Sequence, residues 1–332
     1  MVAMVIRPVW SEGLARCVLL FTCIVLACGR LSAQTNVWQP SPGHRQVPIW
    51  PGAVPDAQPV PGPEAVLSKT EWVVAGKPFV FVVNVSQPTM TVYPAKGTNA
   101  GVAAVVFPGG GYNALAIDLE GTEICDWLNS EGITAVLLKY RVPTKPKVGP
   151  YSESPQALED AQRTLGLVRF HAADWHINPH KIGVIGFSAG GHMVAATSTH
   201  FDKRSYPAVD AADKESCRPD FAIALYPGHL SPFHPDEPES RTRKNQLELN
   251  PNIIVTSNTP PTFLLQAQND PVDDVRNSMA YSLALRKAKV PVELHLYAEG
   301  GHGFGLRRTK FPITEWPGLV EKWLRTIGMS SE

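Results

Sequence analysis

The sequence is poor in cysteine. Only five cysteines occur among 332 residues, and three of them, Cys17, Cys23 and Cys28, lie near the N-terminus. The other two, Cys125 and Cys217, are too few for a disulfide framework, although an oxidising compartment would permit one bond between them. No pair has the spacing of a metal site. A fold held together by disulfides and a cysteine metal centre are therefore not expected.

The sequence also lacks an excess of either charge. It has 30 basic and 30 acidic residues and a formal net charge of +0. Proteins that bind nucleic acid usually carry a basic excess, so nucleic acid is not expected as a partner. The hydrophobic fraction of 44% and the charged fraction of 18% are typical of a globular protein rather than a disordered one. The length suits one large α/β domain or two small ones.

The apolar run at the N-terminus is too short for a comfortable membrane span. It extends over Cys17–Cys28, follows two arginines and precedes small residues at Leu31–Ala33. This order predicts a secretory signal peptide over residues 1–33, and hence a secreted or periplasmic protein with no stable membrane span after processing. Two alternatives remain open, an N-terminal anchor helix and lipidation at Cys28.

The next segment, residues 34–69, is rich in Pro, Gly and Gln and has little periodicity. It is expected to be an extended tail that lies on the domain, because such a composition does not favour regular packing. Short β-branched and aromatic runs follow within residues 73–93 and predict antiparallel edge strands. A single folded domain is therefore expected over residues 70–329.

Buried strands and amphipathic helices alternate over the rest of the chain. Strands are predicted at Gly101–Phe107, Thr134–Leu138, Lys181–Phe187, Phe221–Tyr226, Thr262–Gln266 and Val292–Tyr297. Helices are predicted at Ile124–Leu128, Ser154–Ala173, Gly190–Thr197, Ser278–Lys287 and Glu315–Ile327. This order predicts an α/β fold with a mostly parallel central sheet and helices on both faces. The irregular stretches 200–218 and 227–251 are expected to be insertions that shape a substrate site.

The pentapeptide Gly186-Phe187-Ser188-Ala189-Gly190 joins a predicted buried strand to a predicted helix. A Gly-x-Ser-x-Gly pattern alone is common by chance, but this position is the setting of a nucleophile elbow. The turn strains the serine backbone, and glycines flank it because side chains there would collide with the strand and the helix. Ser188 is therefore the predicted nucleophile. The alternative is an ordinary turn with a capping serine.

A glycine run, Pro108–Tyr112, closes an earlier buried strand. Glycines let the backbone approach a ligand and direct N–H groups at it, and acyl transfer needs such donors for the developing oxyanion. The predicted donors are the N–H groups of Gly110, Gly111 and Ala189. Lipases and esterases often carry His before these glycines, whereas this chain has Pro108. A flexible turn is the alternative.

The predicted general base is His302, which lies between glycines after the last predicted strand. A neutral imidazole there can take the serine proton and return it to a leaving alkoxide. Among the ten histidines, His192 and His295 are expected to be structural, because one lies on the elbow helix and the other within a strand.

The acid that orients this histidine should follow a strand between the serine and the histidine in sequence. Asp270 comes first after the predicted strand Thr262–Gln266 and precedes a proline. It is therefore the predicted acid. Asp273 and Asp274 are alternatives, and their structural interpretation is capping of the next helix.

These motifs together resemble those of a known family. The chain is similar to bacterial secreted α/β-hydrolases related to acetylxylan esterases, and to the wider lipase–esterase (carboxylesterase) group. The resemblance lies in Phe107–Tyr112, Ala157–Gln162, Ile185–His192, Arg218–Phe221, Gln268–Val272 and Gly301–Gly305.

The resemblance implies an α/β-hydrolase fold and a serine esterase that works through an acyl-enzyme without metal or organic cofactor. Acetylated xylan or its oligosaccharides are a typical substrate class of the family, and some relatives act on short-chain or aryl esters. The alternatives are a prolyl-type serine peptidase, although such enzymes usually carry a large extra domain, and a non-catalytic binding module on the same fold.

Overall fold

The computed structural model describes residues 37–143, 154–232 and 247–330. The segment predicted as a signal peptide lies outside these residues, as does Cys28. None of the helices within the described ranges has both the length and the apolar character needed to cross a membrane.

The strands lie in two sheets. They are β1 Gln46–Pro48, β2 Ala65–Val74, β3 Lys77–Val83, β4 Thr89–Tyr93, β5 Ala103–Phe107, β6 Ala114–Leu115, β7 Thr134–Lys139, β8 Ile182–Phe187, β9 Ala222–Leu225, β10 Thr262–Ala267 and β11 Val292–Tyr297. The larger sheet has the order β1-β4-β7-β5-β8-β9-β10-β11, and its strands from β7 onward are parallel. Strands β5, β7, β8, β9 and β10 are buried at every residue, which explains their continuous apolar sequences.

The helices cover both faces of this sheet. They are α1 Glu123–Ser130, α2 Pro155–Phe170, α3 Ala189–Thr199, α4 Arg276–Lys287 and α5 Trp316–Thr326. The connection through α1 runs from β5 to β7, opposite in direction to the connections through α2, α3 and α4. Right-handed crossovers therefore place α1 on one face and the other three on the opposite face. Helix α5 joins α1, since the rings of Trp127 and Trp316 meet at 5.0 Å. The predicted fold class is confirmed.

The predicted start of the domain at residue 70 is too late. Strand β1 pairs with β4 at the edge of the large sheet, and β2 begins at Ala65. Between them, Ile49 and Trp50 are buried, and the Trp50 indole donates to Asp160 of α2 at 2.9 Å. Part of the predicted tail is thus built into the domain. Strand β1 has only three residues, which are too few to show an alternating pattern in the sequence. Its hydrogen bonds to β4 make it a strand.

The predicted edge strands divide between the two sheets. Only β4 joins the large sheet, antiparallel to β7, whereas β2 and β3 pair with β6 in a separate three-stranded sheet. Alternation of apolar and polar residues predicts a strand, but it does not show which other strand pairs with it. Cys125 and Cys217, whose pairing was left open, are both buried free thiols.

Candidate active site

Ser188 occupies a strained turn between β8 and α3. Its backbone has φ 54° and ψ −120°, in the left-handed half of conformational space that side chains rarely adopt. A Cβ on Gly186 would lie 2.2 Å from the carbonyl oxygen of Gly190, and a Cβ on Gly190 would lie 2.0 Å from that of Phe107. The two flanking glycines are therefore required by close backbone approach, as the motif predicts.

The structure brings Ser188, His302 and Asp270 into one hydrogen-bonded chain. His302 Nε2 is 3.0 Å from Ser188 Oγ, and His302 Nδ1 is 2.8 Å from Asp270 Oδ2. The Asp270 side chain is fully buried, and the His302 side chain is 14% exposed. An ionised carboxylate only accepts hydrogen bonds, so Asp270 selects the tautomer with hydrogen on Nδ1. Nε2 is then free to accept the serine proton.

The three neighbouring aspartates have different roles. Asp270 Oδ1 accepts from the N–H groups of Val272 and Asp273 at 2.9 and 3.0 Å, so its second oxygen is held toward the histidine. Asp274 instead accepts from the backbone N–H of Arg276 at the start of α4, which is the predicted capping contact. Asp273 lies on the other side of the imidazole, with Oδ2 3.8 Å from His302 Nε2.

The histidine loop is held to the aspartate loop by an amide that sequence reasoning did not single out. Asn269 Oδ1 accepts from the backbone N–H groups of Gly300 and Gly301, both at 3.0 Å. Gly301 and Gly303 on either side of His302 have φ of 69° and 66°. Glycine adopts these angles without steric cost, so the loop can turn back over the ends of β10 and β11.

The glycine loop packs directly against Ser188. A Cβ on Gly109 would lie 2.9 Å from Ser188 Cβ. Gly110 has φ 132°, and a Cβ there would lie 2.1 Å from the carbonyl oxygen of Ala114. Within the described part of the chain, the N–H groups of the three predicted oxyanion donors, Gly110, Gly111 and Ala189, have no hydrogen-bond acceptor. Their role remains a prediction.

A buried carboxylate, Glu120, connects the glycine loop to the histidine loop. Its Oε2 accepts from the N–H of Gly109 at 2.8 Å, and its Oε1 accepts from the hydroxyl of Tyr226 at 2.9 Å. The Tyr226 oxygen accepts in turn from the N–H of Gly305 at 3.2 Å, and its ring lies 4.9 Å from that of His302. The sequence held no clear signal for this network, because its members are far apart in the chain.

A family model matches the part of the chain that carries this site. Residues 104–306 match a model described as the alpha/beta hydrolase fold, and they include the serine, the aspartate and the histidine. The chain belongs to the α/β-hydrolase family. The resemblance to α/β-hydrolases that the sequence motifs indicated is thereby confirmed.

This α/β hydrolase is also similar to a protein of known structure and to two curated proteins. An acetyl ester-xyloside bifunctional hydrolase of known structure from Caldicellulosiruptor lactoaceticus is 32% identical, with a TM-score of 0.64, over 86% of this chain and 97% of that one. An acetylxylan esterase of Xylanibacter ruminicola is 31% identical over 62% of this chain and 42% of its own length. The endo-1,4-beta-xylanase B of Butyrivibrio fibrisolvens is 30% identical over 64% and 34%. The matched segments thus span less than half the length of these two curated relatives.

Loss of the Glu120 carboxylate is expected to destabilise the hydrolase. Glu120→Ala leaves the Gly109 N–H and the Tyr226 hydroxyl buried without this acceptor, which should cost about 2–6 kcal/mol of unfolding free energy at about 1–3 kcal/mol for each group. Urea unfolding measures the change. Glu71→Ala is the control, because its ion pair with Lys69 is exposed and should change stability by less than about 0.5 kcal/mol. A loss below about 1 kcal/mol in Glu120→Ala would show that the network is not structurally important.

Three carboxylates control the ionisation of His302. Burial by itself would lower its pKa, but the hydrogen bond and charge of Asp270, and the charges of Asp273 and Glu120, raise the pKa above its usual value. Burial acts on Glu120 in the opposite sense and raises the pKa of that carboxyl, against the lowering effects of His302, Tyr226 and Gly109.

His192, expected to be structural, is buried one turn beyond Ser188. Its Nδ1 lies 2.7 Å from the hydroxyl of Tyr112 in the glycine loop, and burial lowers its pKa to about 3, so the ring is neutral. His295 lies in β11 and contacts Glu293 at 2.7 Å. Neither ring takes part in the Ser188–His302–Asp270 chain.

A cavity of about 410 Å³ begins beside His192. Its lining is mostly apolar and comes from the glycine loop, α2, α3 and the segment before β10: Tyr112, Ser154, Pro155, Leu158, His192, Met193, Ala196, His200, Pro251, Asn252, Ile253 and Ile254. His200 and Pro251 belong to the two stretches predicted to shape a substrate site. Residues 233–246 of the second stretch lie outside the described residues.

Within the described ranges, no group of three or more His, Cys, Asp or Glu side chains is arranged to hold a metal ion.

Proposed function

We propose that the protein is a serine esterase that removes acetyl groups from carbohydrate, with acetylated xylan, xylo-oligosaccharides or related short-chain esters as substrates. The observation that carries this proposal is the continuous chain from Ser188 Oγ through His302 to buried Asp270. An alcohol so placed can be deprotonated as it attacks an ester carbonyl. The carbohydrate part is supported by the similarity to an acetyl ester-xyloside hydrolase and an acetylxylan esterase.

The proposed reaction has two steps. His302 Nε2 takes the proton of Ser188 while Oγ attacks the carbonyl carbon, and the oxyanion is stabilised by the N–H groups of Gly110, Gly111 and Ala189. His302 then returns the proton to the departing alkoxide, which leaves an acetyl-serine. Water repeats the path and releases acetate. Only groups of the chain and water take part.

The serine chemistry can be tested with a fluorophosphonate probe. We expect the folded protein to react and peptide mass spectrometry to place the adduct on Ser188, because His302, which Asp270 orients, lies within hydrogen-bonding distance of this hydroxyl. Heat-unfolded protein is the control and should not react. No labelling of the folded protein would favour a non-catalytic binding module.

The substrate class can be tested with a panel of esters. Acetylated xylan, short-chain aryl esters and feruloyl esters should be compared with a proline anilide, which reports peptidase activity. We expect the acetyl esters to be preferred and the anilide to remain uncleaved. Preferred cleavage of the anilide would contradict the proposal in favour of a prolyl-type peptidase.

We also propose that the chain is exported, on the strength of the signal-like residues 1–33. Fractionation of the producing cells, with N-terminal sequencing of the product, would distinguish cleavage near Ala33 from lipidation at Cys28.

Activity should be lost at acidic pH. Neutral His302 is the active form, and its pKa is raised, so kcat/KM should fall as the pH drops through a midpoint above the ordinary histidine value of about 6.5. A pH profile of kcat/KM for an acetyl ester measures this midpoint, with circular dichroism as the check that the protein stays folded. A midpoint clearly below 6.5 would show that Asp270, Asp273 and Glu120 do not govern the base.

A further inference from the structure

A second carboxylate, Asp273, faces the reacting groups. Its Oδ2 lies 3.4 Å from Ser188 Oγ and 3.8 Å from His302 Nε2, on the side of the imidazole opposite Asp270. The side chain is 12% exposed. It also packs against the turn after β9, since a Cβ on Gly228 would lie 2.5 Å from Asp273 Oδ1. The carboxylate therefore lies beside the atoms that would act on a substrate.

The backbone of Asp273 is held on both sides. Its N–H donates to Asp270 Oδ1 at 3.0 Å, and its carbonyl oxygen accepts from the side-chain amide of Gln266 at 2.7 Å. The turn that orients the predicted acid thus also positions Asp273. From this restrained backbone the carboxylate lies toward the site, with Oδ2 3.4 Å from Ser188 Oγ.

The proposed esterase reaction has no use for this carboxylate as a base. His302 Nε2 already lies closer to Ser188 Oγ, at 3.0 Å. A negative charge beside the serine also opposes the oxyanion and the alkoxide that develop there. A carboxylate in this position can accept a hydrogen bond from a donor on the substrate, and charge-assisted hydrogen bonds are among the strongest.

We propose that Asp273 is a specificity-determining residue that accepts a hydrogen bond from a hydroxyl group next to the ester oxygen of the leaving alcohol. This inference rests on the proposed esterase function and deepens it. To be protonated, the leaving oxygen must come within hydrogen-bonding distance of His302 Nε2. Asp273 Oδ2 is 3.8 Å from that nitrogen, so a hydroxyl on the adjacent carbon falls within its reach. The site therefore favours esters of polyhydroxylated alcohols such as sugars.

Paired substrates and variants test this role. A mono-O-acetyl xyloside and cyclohexyl acetate present a six-membered ring with and without neighbouring hydroxyls. In Asp273→Asn, the ratio of kcat/KM for the xyloside to that for cyclohexyl acetate should fall about 10-fold or more, and it should fall further in Asp273→Ala. Any change that the loss of Asp273 makes to the pKa of His302 acts on both acetates alike, so the ratio isolates the recognition of the neighbouring hydroxyls. Asp274→Asn makes the same chemical change one residue away and should leave the ratio unchanged.

Several outcomes would overturn the inference. A ratio within twofold of wild type in both Asp273 variants would show that this carboxylate does not select the alcohol. An equal loss on both acetates would show a general structural role. A loss on acetylcholine as large as the loss on the xyloside would show that Asp273 recognises positive charge rather than hydroxyls. A wild-type protein inactive on every acetate would overturn the proposed esterase function, and this inference with it.

Discussion

Ser188→Ala is expected to lower kcat for acetyl esters by about 10⁵- to 10⁶-fold, to near the background left by the oxyanion donors and substrate binding. The alanine lacks the hydroxyl that lies 3.0 Å from His302 Nε2, so no acyl-enzyme can form at this position. The backbone turn should persist, because Gly186 and Gly190 are unchanged. Steady-state hydrolysis of p-nitrophenyl acetate measures the loss.

The matched control is Ser130→Ala, at the exposed end of α1. It makes the same chemical change far from the sheet edge that carries the site, and it should retain wild-type kcat. Circular dichroism of both variants should match wild type. Substantial turnover by Ser188→Ala, once contaminating esterase is excluded, would refute the serine mechanism while leaving the fold assignment intact.

Asp270→Asn is expected to lower kcat by about 10⁴-fold, through the wrong histidine tautomer rather than through misfolding. One oxygen of Asp270 accepts from the N–H groups of Val272 and Asp273, and the asparagine oxygen should take over that position. Its amide NH₂ then faces His302 and donates to Nδ1. The ring hydrogen moves to Nε2, which can no longer accept the proton of Ser188.

Asp274→Asn tests whether this loss is specific. Asp274 contacts Arg276 at the start of α4, so its replacement should cost at most about 1 kcal/mol of stability and leave kcat nearly unchanged. Kinetics and thermal unfolding of the two variants distinguish a tautomer effect from a stability effect. Equal losses of kcat in both would contradict the assignment of Asp270 as the orienting acid.

The location of the site explains why the predicted catalytic residues come from distant parts of the chain. The glycine loop, Ser188, Asp270 and His302 follow β5, β8, β10 and β11. These strands are parallel, so their carboxyl ends lie along one edge of the sheet. Loops at that edge are free to carry reactive side chains, whereas the strands beneath them are buried and rigid.

Local sequence was sufficient for the strands, the elbow and the order of the predicted catalytic residues. Buried parallel strands appear in the sequence as apolar runs. The close backbone contacts of the tight turn require glycine, so Gly186 and Gly190 can be recognised from the sequence alone. It was not sufficient for β1, which has only three residues and depends on β4 for its hydrogen bonds. Nor could it assign β2 and β3 to a separate sheet, since alternation is the same in either sheet.

The sequence alone determined the α/β fold class and the tight turn at Ser188 between a strand and a helix, because those features depend on periodicity and on short-range steric demands. Only the tertiary structure showed that Glu120 bridges two catalytic loops through Gly109 and Tyr226. The tertiary structure also distinguished the three aspartates. Asp270 lies at Nδ1 of the imidazole, Asp273 lies near Nε2, and Asp274 lies at the start of a helix. Such contacts join residues that are remote in the chain, or depend on side-chain direction within one turn, and neither leaves a periodic signal in the sequence.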